Sequence, residues 1–390
     1  MSLKERVINN LYERRERVLK GLVNSIPSPF ARFSEDFVGI EQSCYYAVTS
    51  FTKGAKSQLT SYLFIYNTLL YCYYNNKNIK VKIIYFPLEE TPERILQRFI
   101  SYLLYIKSDK KIRIAPRDLR STTEAVSEDI LKYIEDPEIS DILKYFEENV
   151  IFPQDCNNPT GIYKWCKQYA EDHGTVHTKP GKYKNEFGET IDTQVFDRYE
   201  QDDPNEYRII IIDTINLIDT ERGMSLKESM DKLSEYLAKY LRNRYHYSPV
   251  VIQQQAFSGE SNDAVKLGRV SPSISNLGDS KYISRDANIV LGLFSPFKFS
   301  LREYYGYDIT RFKDNIRFLE VLVNRDGAMG GICPLYFDGA TCYFEELPKP
   351  NDIESINKIY RQLNQINSAN TKTPVFFSKI FKNFKNLIKT

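Results

Sequence analysis

Lys56 and Ser57 close the stretch Ala47-Val-Thr-Ser-Phe-Thr-Lys-Gly-Ala-Lys-Ser57, which reads as a strand running into a loop and then into a helix that the lysine and the serine open. A lysine followed by a hydroxyl residue at such a junction is suited to phosphate capture. In the pattern G-x-x-x-x-G-K-[ST], backbone N–H groups wrap the phosphates, the lysine reaches the β and γ phosphates, and the hydroxyl binds Mg²⁺. The ligand implied is ATP or another nucleoside triphosphate with Mg²⁺. Candidate contacts are Ser50, Thr52, Lys53, Gly54, Ala55, Lys56, Ser57 and Gln58. The pattern is damaged at two places, with Ser50 at the first glycine position and Ala55 at the second, while Gly54 is a glycine one position early. If position 55 needs a positive φ, alanine there costs on the order of 1 kcal/mol.

Such a loop gains meaning from acidic strand ends that follow it. Tyr207-Arg-Ile-Ile-Ile-Ile-Asp213 is an apolar strand ending in aspartate, the form of a Walker B element, so Asp213 joins Ser57 as a candidate for the metal side of the site. Glu89 is a second acid at a strand end, following the apolar run Ile83–Phe86. Glu90 and Glu93 also suit a helix N-terminus on electrostatic grounds alone.

At Phe86-Pro-Leu-Glu-Glu90 the chain resembles a family, the DnaB-type replicative helicases, which carry F-S-L-E-M at the corresponding strand end. The likeness continues in order. Ile212-Asp-Thr-Ile-Asn-Leu217 resembles I-D-Y-L-Q-L, and Pro249-Val-Val-Ile-Gln-Gln-Gln255 resembles P-V-V-A-L-S-Q. Leu277–Val290 resembles a DNA-facing loop with its following strand. Glu320-Val-Leu-Val-Asn-Arg325 resembles the strand ending in an arginine finger, and Phe337-Asp-Gly339 resembles the turn F-N-G. The resemblance covers roughly residues 30–347.

The resemblance implies an ATP-dependent ring helicase or translocase on single-stranded DNA in DNA replication, built as a homo-oligomer of six subunits. Glu89 would be the catalytic base, Gln255 the phosphate sensor, and Arg325 a finger reaching the neighbouring subunit's nucleotide. Lys266, Arg269, Lys281 and Arg285 are the cations available for DNA in the loop segment, since the family's Arg-Glu pair there is Gly278-Asp279. Val323 stands where the family often has a lysine. Only about 30 residues precede the core, so the resemblance implies a compact version without the primase-binding N-terminal domain. Together with the AT-biased composition, that form resembles a virus-encoded protein acting in a host cytoplasm. Two alternatives stay open: a RecA-fold scaffold that binds nucleotide but hydrolyses it weakly or not at all, and a recombinase or clock-type relative.

The elements that must position these residues follow from patterning. Apolar strand-like runs alternate with helical ones, which predicts the α/β class: a RecA-like P-loop ATPase core with a mainly parallel central sheet flanked by helices. Strands are expected at Tyr45–Thr49, Val81–Phe86, Val150–Phe152, Arg208–Asp213, Val250–Gln254, Ile289–Phe294 and Phe318–Val323, and helices at Gln58–Tyr73, Pro92–Tyr105, Ile162–Asp172 and Ser225–Arg244. Leu335–Phe337 and Ala340–Phe344 read as a closing hairpin around Asp338-Gly339. Residues 1–30 read as an N-terminal linker helix with the stripe Leu3, Val7, Leu11, Val18 and Leu22, ended by Ile26-Pro-Ser-Pro29. Residues 31–350 form the ATPase domain, with 173–205 as a polar surface insertion and 257–285 as loops. Residues 351–390 form a helical tail, basic and amphipathic from Phe377 onward, with no acid after residue 371; a partner groove, replication proteins, anionic lipid, nucleic acid or its own domain are its candidate contacts.

Composition narrows the classes. With 390 residues, 42% hydrophobic and 27% charged, the chain has a globular balance rather than a disordered one. Its apolar runs are strand-length and no signal core opens the N-terminus, so a cytosolic protein without a membrane span is expected. Six scattered cysteines without a C-x-x-C pair predict buried free thiols. His173 and His177 have metal-compatible spacing, but Gly174, Thr175 and Val176 between them argue against the helix that spacing would need. A net charge of +2 neither supports nor excludes nucleic acid, which a ring binds through a few loop cations.

Overall fold

Ile209–Ile212 are buried on both faces of their strand, the environment that a parallel sheet between two helical layers provides. A computed structural model describes residues 3–75, 78–184, 188–260, 270–278 and 281–369. In chain order its strands are β1 (Ile26–Pro27), β2 (Gly39–Ile40), β3 (Tyr46–Ser50), β4 (Lys80–Pro87), β5 (Val150–Ile151), β6 (Gly174–Lys184), β7 (Thr190–Gln201) and β8 (Glu206–Asp213). They continue with β9 (Ser248–Gln254), β10 (Ile289–Phe294), β11 (Glu303–Tyr304), β12 (Tyr307–Asp308), β13 (Ile316–Asn324), β14 (Ile332–Asp338) and β15 (Tyr343–Glu346).

Nine strands form the central sheet in the order β15-β14-β13-β10-β3-β9-β8-β4-β5. From β10 to β5 every pairing is parallel, and β13, β14 and β15 add antiparallel strands on one side. This is the α/β architecture expected from the sequence, with the hairpin closing the sheet. The strand period of two divides the core. Val48, Ile83, Ile209, Ile211 and Val250 pack with Leu59, Leu63 and Phe99 on one face. Ala47, Ile84, Ile210, Ile212 and Val251 pack with Ile162, Met230, Leu233 and Leu237 on the other.

The expected strands and helices are present, with ends shifted by a few residues. The helix after the phosphate loop runs through Lys56–Thr60, widens into a π turn at Ser61–Tyr66 and continues over Asn67–Tyr74. Ser225 and Glu228 form a complete capping box before the helix Leu226–Glu235. Three short helices, Pro116–Leu119, Glu128–Ile134 and Pro137–Asn149, were not apparent in the pattern. They enclose a small separate core of Leu104, Ile112, Ile130 and Ile139.

The 173–205 insertion is an antiparallel ribbon in which β6 pairs with β7. In the 257–285 region, short helical turns lie at Phe257–Glu260, Ile274–Asn276 and Tyr282–Asp286. The N-terminal helix Leu3–Leu19 has no buried residue, and Leu3, Val7, Leu11 and Val18 are all at least half exposed. Arg17 anchors its end by donating to Asn205 Oδ1 (2.7 Å) and Asn78 Oδ1 (2.9 Å). The C-terminal helix Ile353–Ala369 buries Ile356, Tyr360 and Leu363 against Phe312 and its neighbours. The basic stretch beyond it lies outside the described residues. Cys44, Cys72, Cys166, Cys333 and Cys342 are buried free thiols, and Cys156 is a half-buried one. Among the described residues no helix is long and apolar enough to cross a membrane.

Candidate active site

The parallel register brings the chemistry to one end of the sheet. β3 ends at Ser50 beside Gln254 of β9, and Pro87 of β4 pairs with Asp213 of β8. The phosphate-loop sequence, the Glu89 turn and Asp213 therefore share the C-terminal edge, where ligands bind in open α/β sheets.

Ser57 Oγ donates to Asp213 Oδ1 at 2.9 Å, and Tyr85 Oη donates to Asp213 Oδ2 at 2.8 Å. Asp213 is 5% exposed, and burial raises its pKa above the ordinary carboxylate value despite those two hydrogen bonds; the neighbouring charge of Glu89 adds to the rise and that of Arg98 opposes it. Among the described residues Asp213 pairs with no cation. A buried carboxylate beside a hydroxyl, both hard oxygen donors, fits Mg²⁺. The Leu88 N–H donates to the Asp213 carbonyl at 2.8 Å, which pins the turn carrying Glu89 against this strand end. Glu89 itself is exposed. Glu90 is held by Arg98 from the following helix, Pro92–Lys107.

The loop from Ser50 to Ser57 has its own geometry. Ala55 has φ +74°, so the residue replacing the glycine does adopt the left-handed conformation. Lys53 is also left-handed, at φ +58°. Gly54 is not left-handed and is required by space, because Ser50 lies against it. Among the described residues no hydrogen bond or ion pair engages the ammonium groups of Lys53 and Lys56. The helix N-terminus beginning at Lys56 adds a favourable partial charge for anions. Gln58 Nε2 points elsewhere, toward the Gly339 carbonyl at 3.4 Å.

Gln255 is 2% exposed, donating to Thr49 Oγ1 (2.9 Å) and accepting from the Ser273 N–H (3.3 Å). Gln254, its neighbour, reaches the loop and donates to Thr52 Oγ1 at 2.6 Å. Gln254 thus turns its side chain toward the loop, while Gln255, the residue the resemblance picks out, turns its side chain toward Thr49. Gln253 donates to the Gly278 carbonyl at 2.8 Å, so the run Gln253–Gln255 joins the phosphate loop to the 273–278 segment.

Arg325 lies elsewhere. β13 runs antiparallel to β10, and Asn324 pairs with Ile289, whereas Ser50 pairs with Leu293. Arg325 therefore emerges at the opposite end of the sheet, just beyond Asn324, which itself lies roughly 13 Å from the level of Ser50 by strand rise. Its guanidinium donates to the Arg285 carbonyl, and no ion pair joins it to Asp326 among the described residues. Arg285 pairs with Asp286 at 3.1 Å and lies 3.8 Å from the Tyr282 ring centroid. Lys281 is exposed, while Lys266 and Arg269 lie outside the described residues.

No family model matches the chain, and no curated protein matches it in sequence. Solved structures do. An ATPase domain whose structure was solved on its own aligns over 89% of this chain and 99% of its own length, with a TM-score of 0.58 and 16% identity. A DnaB-like replicative helicase, solved in a study of its interactions with primase, aligns over 88% of this chain with a TM-score of 0.57 and 14% identity. This chain spans 66% of that helicase's length. At such identities the likeness defines the fold, which is α/β and RecA-like.

Proposed function

We propose that the chain is a nucleoside triphosphate hydrolase whose sites are completed between subunits of a ring, and that it moves along single-stranded DNA as a replicative helicase. The observation that carries this reading is the pairing of Ser57 with Asp213 at 2.9 Å beside the Glu89 turn, with Arg325 at the far end of the same sheet. In this reading one subunit holds a nucleotide pocket, and its Arg325, at the other end of the sheet, serves a neighbour's pocket.

In this reading Lys56, Lys53 and the N–H groups from Thr52 to Gln58 hold the phosphates. Ser57 and Asp213 would hold Mg²⁺, which neutralises phosphate charge when bound. Glu89 orients water and accepts its proton, and a neighbouring subunit's Arg325 offsets charge building on the transferred group. Gln254 or Gln255 relays the state of the site to the 273–278 segment, with Lys281, Arg285, Lys266 and Arg269 toward DNA. The exposed stripe on the Leu3–Leu19 helix suits docking on the next subunit in a ring of six.

Ala55 favours a second reading. A left-handed alanine inside the loop strains the part of the site that must grip phosphate, as expected of a nucleotide-binding scaffold that hydrolyses poorly. ATP turnover with and without single-stranded DNA separates the two. Turnover stimulated by DNA and lost in Lys56→Ala supports the motor, whereas nucleotide binding without turnover above that control supports the scaffold.

A further inference from the structure

Thr52 is held at every polar group it has. Its N–H donates to Glu260 Oε1 at 3.1 Å, its carbonyl accepts from Lys298 Nζ at 2.7 Å, and its hydroxyl accepts from Gln254 at 2.6 Å. Glu260 and Lys298 also pair with each other at 2.6 Å, their side chains only 20% and 27% exposed.

The surroundings are built for this contact. Gly259 lies so close to the Phe51 ring that a Cβ there would come within 2.7 Å of it, which lets the turn Phe257–Glu260 descend onto the loop. Lys298 lies by the edge-to-face pair of Phe51 and Phe299, with Nζ 5.9 and 5.6 Å from the two ring centroids.

Backbone N–H groups of a phosphate loop are donors for phosphate oxygens. At Thr52 a carboxylate accepts that bond instead, with an ammonium group alongside. An incoming phosphate on this N–H must displace Glu260, whose charge would otherwise repel it, and the displacement leaves Lys298 without its partner and next to the new anion. Thr52 stands two residues beyond the end of β3, where its hydroxyl meets Gln254 of β9.

We propose that Glu260 and Lys298 select for the terminal phosphate of a nucleoside triphosphate. Glu260 occupies the Thr52 N–H in the nucleotide-free and diphosphate states, and a γ phosphate replaces it and recruits Lys298. Lys298 would then be a nucleotide-positioning residue that no part of the sequence pattern marks. This inference rests on the nucleotide-site reading above.

The test measures binding of Mg·ADP and of the non-hydrolysable imido analogue of Mg·ATP to the full chain and to Glu260→Gln, Lys298→Met and Lys298→Arg. Glu260→Gln should tighten the analogue about tenfold and Lys298→Met should weaken it about tenfold, as expected for one charge-assisted contact. ADP affinity should stay within about twofold in both, which also reports that each variant is folded. Lys298→Arg should keep the wild-type preference. An analogue-to-ADP ratio unchanged in Glu260→Gln, or an equal loss of both ligands in a Lys298→Met protein of wild-type thermal stability, overturns the proposal. Wild-type protein that binds neither ligand above a Lys56→Ala control would instead sink the nucleotide-site reading itself.

Discussion

Ser50 and Gly54 are fitted to each other: a Cβ on Gly54 would lie 2.6 Å from Ser50 Oγ and 2.9 Å from Ser50 Cβ. The glycine that stands one position early in the loop therefore has a steric cause. Ser50 fills the space with its hydroxyl donating to the Phe51 carbonyl at 2.9 Å, and residue 54 must have no side chain.

Gly54→Ala should destabilise the protein by about 1–3 kcal/mol, the range for a forced overlap in a packed site. Ser50→Gly placed on top should recover most of that loss, because it removes the atoms struck. Chemical denaturation of the two single variants and the double variant gives the coupling. Additive losses would show that the two residues are not fitted as described.

Ala55 is the strained member of the loop, at φ +74°. Ala55→Gly should stabilise by roughly 0.5–1 kcal/mol, relief of left-handed strain partly offset by a more flexible unfolded chain. The same variant decides how much the strain restrains turnover. A rise in turnover with unchanged nucleotide affinity would locate the restraint in the loop's conformation.

Much of this was legible in the sequence. Ile209–Ile212 announces a buried parallel strand by its β-branched run, and Ser225 with Glu228 announces a helix start by capping chemistry. Of the candidate site residues, Glu89 and Asp213 stand out in the sequence because they follow apolar runs, whose strands the sheet then pairs. What was hidden depends on register or on distant contacts. Gln254 differs from Gln255 only in which face of the strand end it occupies. Glu260 and Lys298 lie 208 and 246 residues from Thr52 along the chain, and no local pattern joins them. The 173–205 segment shows in the sequence as a polar surface insertion, but its two strands do not, because the ribbon is largely solvated and lacks an alternating apolar face.

Arg208 is the ribbon's anchor. Its guanidinium is 1% exposed and donates to Glu206 (2.8 Å), Tyr199 Oη (2.7 Å) and the His173 carbonyl (2.9 Å). Arg208→Met leaves the Glu206 carboxylate without its cation and should cost about 3–5 kcal/mol. Limited proteolysis should then cut within 174–201 before the rest of the domain unfolds. Uniform loss without early ribbon cleavage would mean that Arg208 does not hold the ribbon specifically.

Glu221 supplies a pH-dependent contribution. Burial alone would raise its pKa, but Lys232 and the Thr160 N–H, which donates at 2.7 Å, lower it below its ordinary 4.5. A depressed carboxylate stabilises the folded state above its unfolded pKa, and that contribution is lost as pH falls through the folded value. Wild type should therefore melt above Glu221→Gln at pH 7, and the gap should close as pH drops below 4.5. A gap constant from pH 7 to pH 3 would contradict the assignment.

The composite site makes its strongest claim in a mixing experiment. Glu89→Gln and Arg325→Ala should each lose ATP turnover by about 10²-fold or more when assayed alone with single-stranded DNA. Mixed one to one and allowed to exchange subunits, they should recover about a quarter of wild-type turnover, because that share of random interfaces pairs an intact Glu89 with an intact Arg325 from the neighbour. A mixture no more active than its parents, under conditions where subunit exchange is demonstrated, would contradict a site shared between subunits.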